Sequence, residues 1–288
     1  MIRTLTAILL MIGCAQLQMA ASEPSSACAG STPIALSFTQ GIPTLKVEID
    51  GIQIEAIVDT GSPVSLADET FVQATGDGSD AGAFATYYGD MATQDGRLKP
   101  IRIGDSLIED MPVQTIVKGG GAFAELVRGR LVLGRAFLSN HDMIFDGPNG
   151  RAYIRPAQNP RDRTEFAYSI EYRTGQATGL CLFDSGFGAS ETMFIHRDAP
   201  ILAEQTAFQS LGRIAHGASA SGQADLVSVF VSLAGGRTRS ILAALEVATD
   251  IGTSEPGLGY CLITSQIMQD HRIILRSGRR LVTLVPTE

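Results

Sequence analysis

The chain has 288 residues, 44% of them hydrophobic and 18% charged, with a formal net charge of −8. That length is enough for one large core or two smaller ones. The acidic balance argues against a nucleic-acid partner, because phosphate binding needs clustered cations. Lysine occurs only at Lys46, Lys99 and Lys118, and no basic run exceeds Arg279-Arg280, which reads as a solvated hairpin end.

In chain order, Arg3 followed by the apolar residues 5–12 has the form of a signal peptide over residues 1–21. The apolar run is too short to span a bilayer as a mature helix. Met11-Ile12-Gly13-Cys14 forms a candidate lipobox, with Cys14 lipidated after cleavage; the alternative is ordinary cleavage near residues 20–22. Either route exports the protein to the periplasm or beyond, and a lipid on Cys14 is the only membrane attachment expected. Residues 22–33, rich in Ser, Ala and Pro, read as a mobile tether.

From Ile34 onward, short apolar runs broken by Gly, Asp and Pro predict β-structure throughout. Residues 45–49 alternate with period 2, and Asp50-Gly51 predicts a tight turn into a strand over 52–58. That strand delivers Asp59-Thr60-Gly61-Ser62. Further strands are predicted over 83–93, 98–103 and 107–116, with Gly119-Gly120-Gly121 as a flexible loop. Residues 130–133 lead into Gly134, a short helix is expected over 135–140, and a hairpin over 143–154 closes the first lobe.

Residues 157–163 read as an inter-lobe linker, since the prolines on either side limit pairing and no apolar periodicity is present. The order then repeats. A hairpin of 167–172 and 179–183 delivers Asp184-Ser185-Gly186, strands follow over 226–233 and 241–247, and residues 261–270 predict a short helix. A last hairpin, 273–285, closes the second lobe. The two lobes are thus 34–156 and 164–288, offset by 125 residues between the two Asp, which fits duplication of a whole domain.

Each Asp also has a Leu-Gly pair downstream, Leu133-Gly134 and Leu258-Gly259, with each Gly 75 residues after its Asp. One Asp-Thr-Gly after a strand is commonly an Asx-type turn. Two on matching frames point to a pair of carboxylates brought together. Like charges held close split their pKa values, so that one member is ionised and the other protonated. Such a pair titrates as a unit and can activate water while polarising a carbonyl. The hydroxyls of Thr60 and Ser185 can bond across to the other lobe, and Gly61 and Gly186 let the backbone turn close to the carboxylates.

On these residues the chain resembles the aspartic proteases of the pepsin and retropepsin clan, and its short lobes are nearest to a bacterial-type tandem of retropepsin-like domains. The resemblance covers nearly all of the chain after the N-terminal segment. It implies an all-β, bilobal acid-protease-like fold with two β-barrel-like lobes and a cleft between them. The implied activity is aspartic endopeptidase action on a peptide or protein substrate, with Asp59 and Asp184 catalytic, no cofactor, no metal and a monomer as the working unit. The rival is a catalytically weak or inactive peptide-binding or inhibitory relative that keeps the cleft.

In the resembled family the downstream Gly packs against the catalytic loop, a flap hairpin covers the substrate, and Tyr87, Tyr88 and Gly89 fit the flap. An ordinary strand aromatic fits equally. The second-lobe stretch over 216–222 is small and suits a cleft wall. Ser62 can bond the outer oxygen of Asp59, whereas Phe187 replaces it in the second loop; this points to Asp59 as the ionised member. The resemblance also brings Cys181 near Cys261 within one lobe, with Ala56 and Ala136 as the first-lobe equivalents. These cysteines are either bridged or packed as free thiols. The remaining cysteine and histidine spacings fit no metal motif.

Overall fold

The structure is a computed structural model describing residues 30–73, 80–86, 89–157, 167–175, 177–196, 198–203, 209–215, 223–246 and 260–286. The expected signal segment, Cys14, Tyr87, Tyr88, residues 216–222, Leu258 and Gly259 lie outside the described residues, as does the linker beyond Ala157.

In the first lobe, Ile42–Ile49 and Ile52–Val58 form a hairpin. Asp50 and Gly51 turn it with φ of 52° and 76°, the left-handed pair that such a two-residue connection requires. Leu131–Leu133 lies parallel to Ile52–Val58, with Leu133 opposite Val58, and antiparallel to Leu66–Ala67. Pro112–Gly119 runs parallel to Leu66–Ala67 and carries the hairpin of Asp80–Thr86 and Gly89–Leu98 on its other side.

The second lobe repeats this arrangement. Ser169–Thr174 and Ala177–Asp184 form the hairpin, Cys261–Thr264 lies parallel to its second strand, and Met193–His196 pairs antiparallel to Cys261–Thr264. Arg239–Glu246 runs parallel to Met193–His196 and pairs with Gln223–Leu233, which folds back on Gln209–Ala215. The last two form a hairpin at the place that Asp80–Thr86 and Gly89–Leu98 hold in the first lobe.

A third sheet joins the halves. Its order is Thr283–Pro286, His271–Leu275, His141–Asp146, Arg151–Pro156 and Ile34–Thr39, and the two lobes meet where His141–Asp146 pairs with His271–Leu275. Period-2 alternation sorts its side chains. Met143, Phe145, Ile273 and Leu275 face inward and are fully buried, in one continuous core with Val58 and Phe183. Those last two immediately precede the paired aspartates, so the core supports the site directly.

Three expectations are corrected. Residues 261–270 are not one helix: Cys261–Thr264 is a strand, and only Ile267–Asp270 is helical. Three buried apolar side chains and a parallel partner outweigh local helix preference there. Gly119-Gly120-Gly121 is not merely a loop, since Gly120, at φ 78°, caps a helix over Gly121–Val127. The third correction concerns register. Thr264, not Gly259, lies opposite Asp184, and Ile263 opposite Phe183. The second-lobe interval is therefore 80 residues and not 75, and Leu258-Gly259 is not the counterpart of Leu133-Gly134.

Candidate active site

Val58 and Phe183 lie in the core, and the residue that follows each is an aspartate facing the opposite side, Asp59 just past its strand and Asp184 at the end of its own. Asp59 is held by the backbone amide that it donates to Leu133 O at 3.1 Å. Its Oδ1 accepts two backbone N–H groups, from Gly61 at 2.9 Å and from Ser62 at 3.0 Å. Asp184 Oδ1 accepts from the Gly186 N–H at 2.9 Å. The two carboxyl groups are close enough for each to act on the other's ionisation.

Reciprocal bonds lock the loops together. Thr60 N–H donates to Ser185 Oγ at 3.0 Å, and Ser185 N–H donates to Thr60 Oγ1 at 2.9 Å. Each hydroxyl then donates across the lobe boundary, Thr60 Oγ1 to Phe183 O at 2.7 Å and Ser185 Oγ to Val58 O at 2.8 Å. Both residues are fully buried, where an unpaired hydroxyl or amide is expensive, so the four bonds act as one satisfied network.

The glycines are sterically required. A Cβ on Gly61 would sit 2.5 Å from Asp184 Oδ2, and one on Gly186 would sit 2.3 Å from the Asp59 Cγ. Gly134 is as constrained, because a Cβ there would lie 1.9 Å from Val64 O. Its N–H donates to Ser65 Oγ at 3.1 Å. In the second lobe Thr264 uses its hydroxyl instead, donating to Glu191 O at 2.6 Å.

The electrostatics separate the two carboxyls. Burial pushes both upward. For Asp59, the amides of Ser62 and Gly61, the bond from Asp184 and the charge of Arg135 oppose that rise. Asp184 is held well above the usual carboxylate range, by burial first and then by the neighbouring Asp59 charge, with the Gly186 and Phe187 amides only partly opposing. Asp59 is therefore the ionised member and Asp184 the protonated one. The direction matches the expectation from sequence, but the cause differs. Ser62 Oγ donates to Val64 O at 2.8 Å, and it is the Ser62 amide that stabilises Asp59.

Other expected residues fall as follows. Gly89 opens its strand opposite Thr86, in the stem of the first-lobe hairpin. Cys181 and Cys261 are disulfide-bonded with Cα atoms 4.8 Å apart, so they are not free thiols. Their first-lobe equivalents are Ala56 and Leu131, which stand opposite each other in the parallel ladder, and not Ala56 and Ala136. No group of His, Cys, Asp or Glu suited to a metal ion occurs among the described residues. Two contributors escaped the sequence reading. Arg135, whose charge lowers Asp59, directly follows Gly134, and that position is the signal that would have found it. Ser265 donates to Gly41 O at 2.6 Å and to Phe187 O at 3.0 Å, tying the second aspartate loop to the first lobe; nothing in its sequence context marks it.

Side chains sharing the aspartates' face pack into two small buried apolar clusters. Ile57, Leu66, Met91 and Val132 lie on the first-lobe side. Leu182, Phe194 and Leu262 lie on the second, with Phe187 set edge-on to Phe194 at 5.0 Å between ring centroids.

Together these features define a bilobal, all-β fold of the acid-protease type with two aspartates at the lobe junction. Among solved structures, the chain is similar to the aspartic proteinase from Irpex lacteus. The two share 11% sequence identity at a TM-score of 0.52, over 90% of this chain and 98% of that one. No family model matches the chain, and no curated protein matches it in sequence.

Proposed function

We propose that this chain is a single-chain aspartic endopeptidase using Asp59 and Asp184. The observation that carries the proposal is the pair of carboxyls, each packed against the other loop's glycine, on two loops fixed by reciprocal Thr60 and Ser185 bonds. Ionised Asp59 takes a proton from a water between the carboxyls, and the hydroxide attacks the scissile carbonyl carbon. Protonated Asp184 donates to the carbonyl oxygen, which becomes a hydroxyl of the tetrahedral intermediate. Collapse then breaks the C–N bond. Asp59 returns its proton to the leaving nitrogen, and Asp184 recovers one from the collapsing hydroxyl. No covalent enzyme intermediate forms.

The substrate would lie extended between the lobes, bonded along its backbone, with apolar side chains against partly buried members of the two clusters such as Phe123 and Phe187. Because each chain supplies both aspartates, a monomer suffices. The equivalent hairpins of the two lobes favour the tandem retropepsin-like type. Export fits the Cys181–Cys261 bridge, which an oxidising compartment preserves.

A peptide-library digest at several pH values, with and without a statine-type transition-state mimic, tests the proposal. Cleavage between apolar residues, blocked by the mimic, is the expected result. Phe187 in place of Ser62 and Thr264 in place of Gly134 favour a second reading, a peptide-binding relative. Saturable peptide binding without cleavage would establish that reading instead.

A further inference from the structure

The sheet that joins the lobes has an outer face of unusual charge. Residues 141–156 and 271–286, which hold four of its five strands, carry six arginines against two aspartates, in a chain of net charge −8. The fifth strand, Ile34–Thr39, carries no charge. The arginines are organised by register. Arg151 and Arg272 stand opposite Asp146 on its two sides, and Arg272 Nη2 is 2.7 Å from Asp146 Oδ2. Arg155 stands opposite Asp142 at 3.0 Å, and Arg276 follows Leu275, the partner of Met143 next to Asp142. Each aspartate is thus overmatched by cations, and Arg279 and Arg280 extend the excess into the last hairpin turn. Between the two rows lie Ile144 and Ile274, with Tyr153 and Val285 partly exposed beside them. Leu281, next to Arg280, is 50% exposed.

We propose that this face docks on an anionic lipid surface. Arginines around the accessible Tyr153, Val285 and Leu281, above the buried Ile144 and Ile274, match the chemistry of a headgroup layer, in which cations meet phosphates and apolar side chains enter the acyl boundary. Two further features select a membrane. The chain ahead of the described fold enters at this sheet, with Ala35 opposite Arg151, so the candidate lipid site at Cys14 precedes this same edge. The inner face of the sheet packs into the core beneath Val58 and Phe183, so a membrane on the outer face leaves the aspartates directed away from it. This inference does not depend on the proposed chemistry.

The test uses the full chain and two sets of vesicles, phosphatidylcholine alone and phosphatidylcholine with about one third phosphatidylglycerol. Co-sedimentation should favour the anionic vesicles and weaken as salt rises. The double variant Arg151→Gln and Arg279→Gln should bind them at least about tenfold more weakly. A control pair of equal charge change away from the sheet, Arg97→Gln and Arg128→Gln, should bind like the parent. Thermal melting of both variants separates misfolding from lost docking. Equal binding to both vesicle types, equal loss in the control pair, or binding to a soluble polyanion such as heparin but to neither vesicle would overturn the proposal.

Discussion

The two aspartate loops share a plan yet hold their carboxyls in different states. In the first, Asp59 accepts two amides at 2.9 and 3.0 Å and feels the charge of Arg135. In the second, the Gly186 and Phe187 amides also oppose the upward pull of burial, but the Asp59 charge adds to that pull where Arg135 offsets it in the first. Duplication supplies the pair, and divergence of a few neighbours decides which member keeps the proton. The same divergence appears one layer down. The Ala56 and Leu131 pair of the first lobe is a disulfide in the second, and Gly134 becomes Thr264.

The largest expected effect comes from removing either carboxyl. Asp59→Asn and Asp184→Asn should each lower peptide hydrolysis by about 10²–10⁴-fold or more, with the fold intact by circular dichroism. Hydrolysis at the parent rate by either variant would break the comparison at its root. The two differ in stability. A raised carboxyl pKa lends stability that is complete below about pH 4 and is lost as pH rises through the raised value. Asp184→Asn should therefore melt higher than the parent at pH 7 but not at pH 3, with a smaller gain for Asp59→Asn.

Next in size is the packing contrast. Gly134→Ala forces a methyl against Val64 O and should cost about 3 kcal/mol. Thr264→Val at the equivalent site loses one buried hydrogen bond, about 1 kcal/mol. Denaturant melts of the two variants rank them. Replacing both Cys181 and Cys261 by Ala should cost about 2–4 kcal/mol, read the same way. Arg135→Met should raise the lower apparent pKa of the pH–rate profile, since it removes a cation that favours ionised Asp59. The smallest effect is expected of Ser62→Ala. Its hydroxyl serves Val64 O, so kcat/KM should stay within about twofold while stability falls by about 1 kcal/mol. A displaced pH profile for this variant would restore the hydroxyl as a ligand of Asp59.

Strand alternation and the turn at Asp50-Gly51 made the first hairpin legible, and the two Asp-hydroxyl-Gly triplets made the site legible. The downstream register was not. A Leu-Gly pair at a matching interval stood in the sequence, but the three buried apolar residues before Thr264 took the place beside Asp184. Strand pairing of this kind is decided by long-range packing, which a local interval does not encode. Arg135 and Ser265 act through space on residues 76 and 78 positions away, and no local pattern announces such contacts. The helix at Gly121–Val127 was hidden because three glycines in a row read as loop, although all three take the left-handed φ that turns the chain into it.

The most direct test of the shared-proton pair is the pH dependence of kcat/KM on one well-cleaved peptide. The account predicts a bell, rising as Asp59 ionises and falling as Asp184 gives up its proton, with the falling limb well above the usual carboxylate range. A rate that keeps rising through neutral pH, as for a histidine base, would contradict it, and so would the absence of hydrolysis at every pH with the peptide firmly bound.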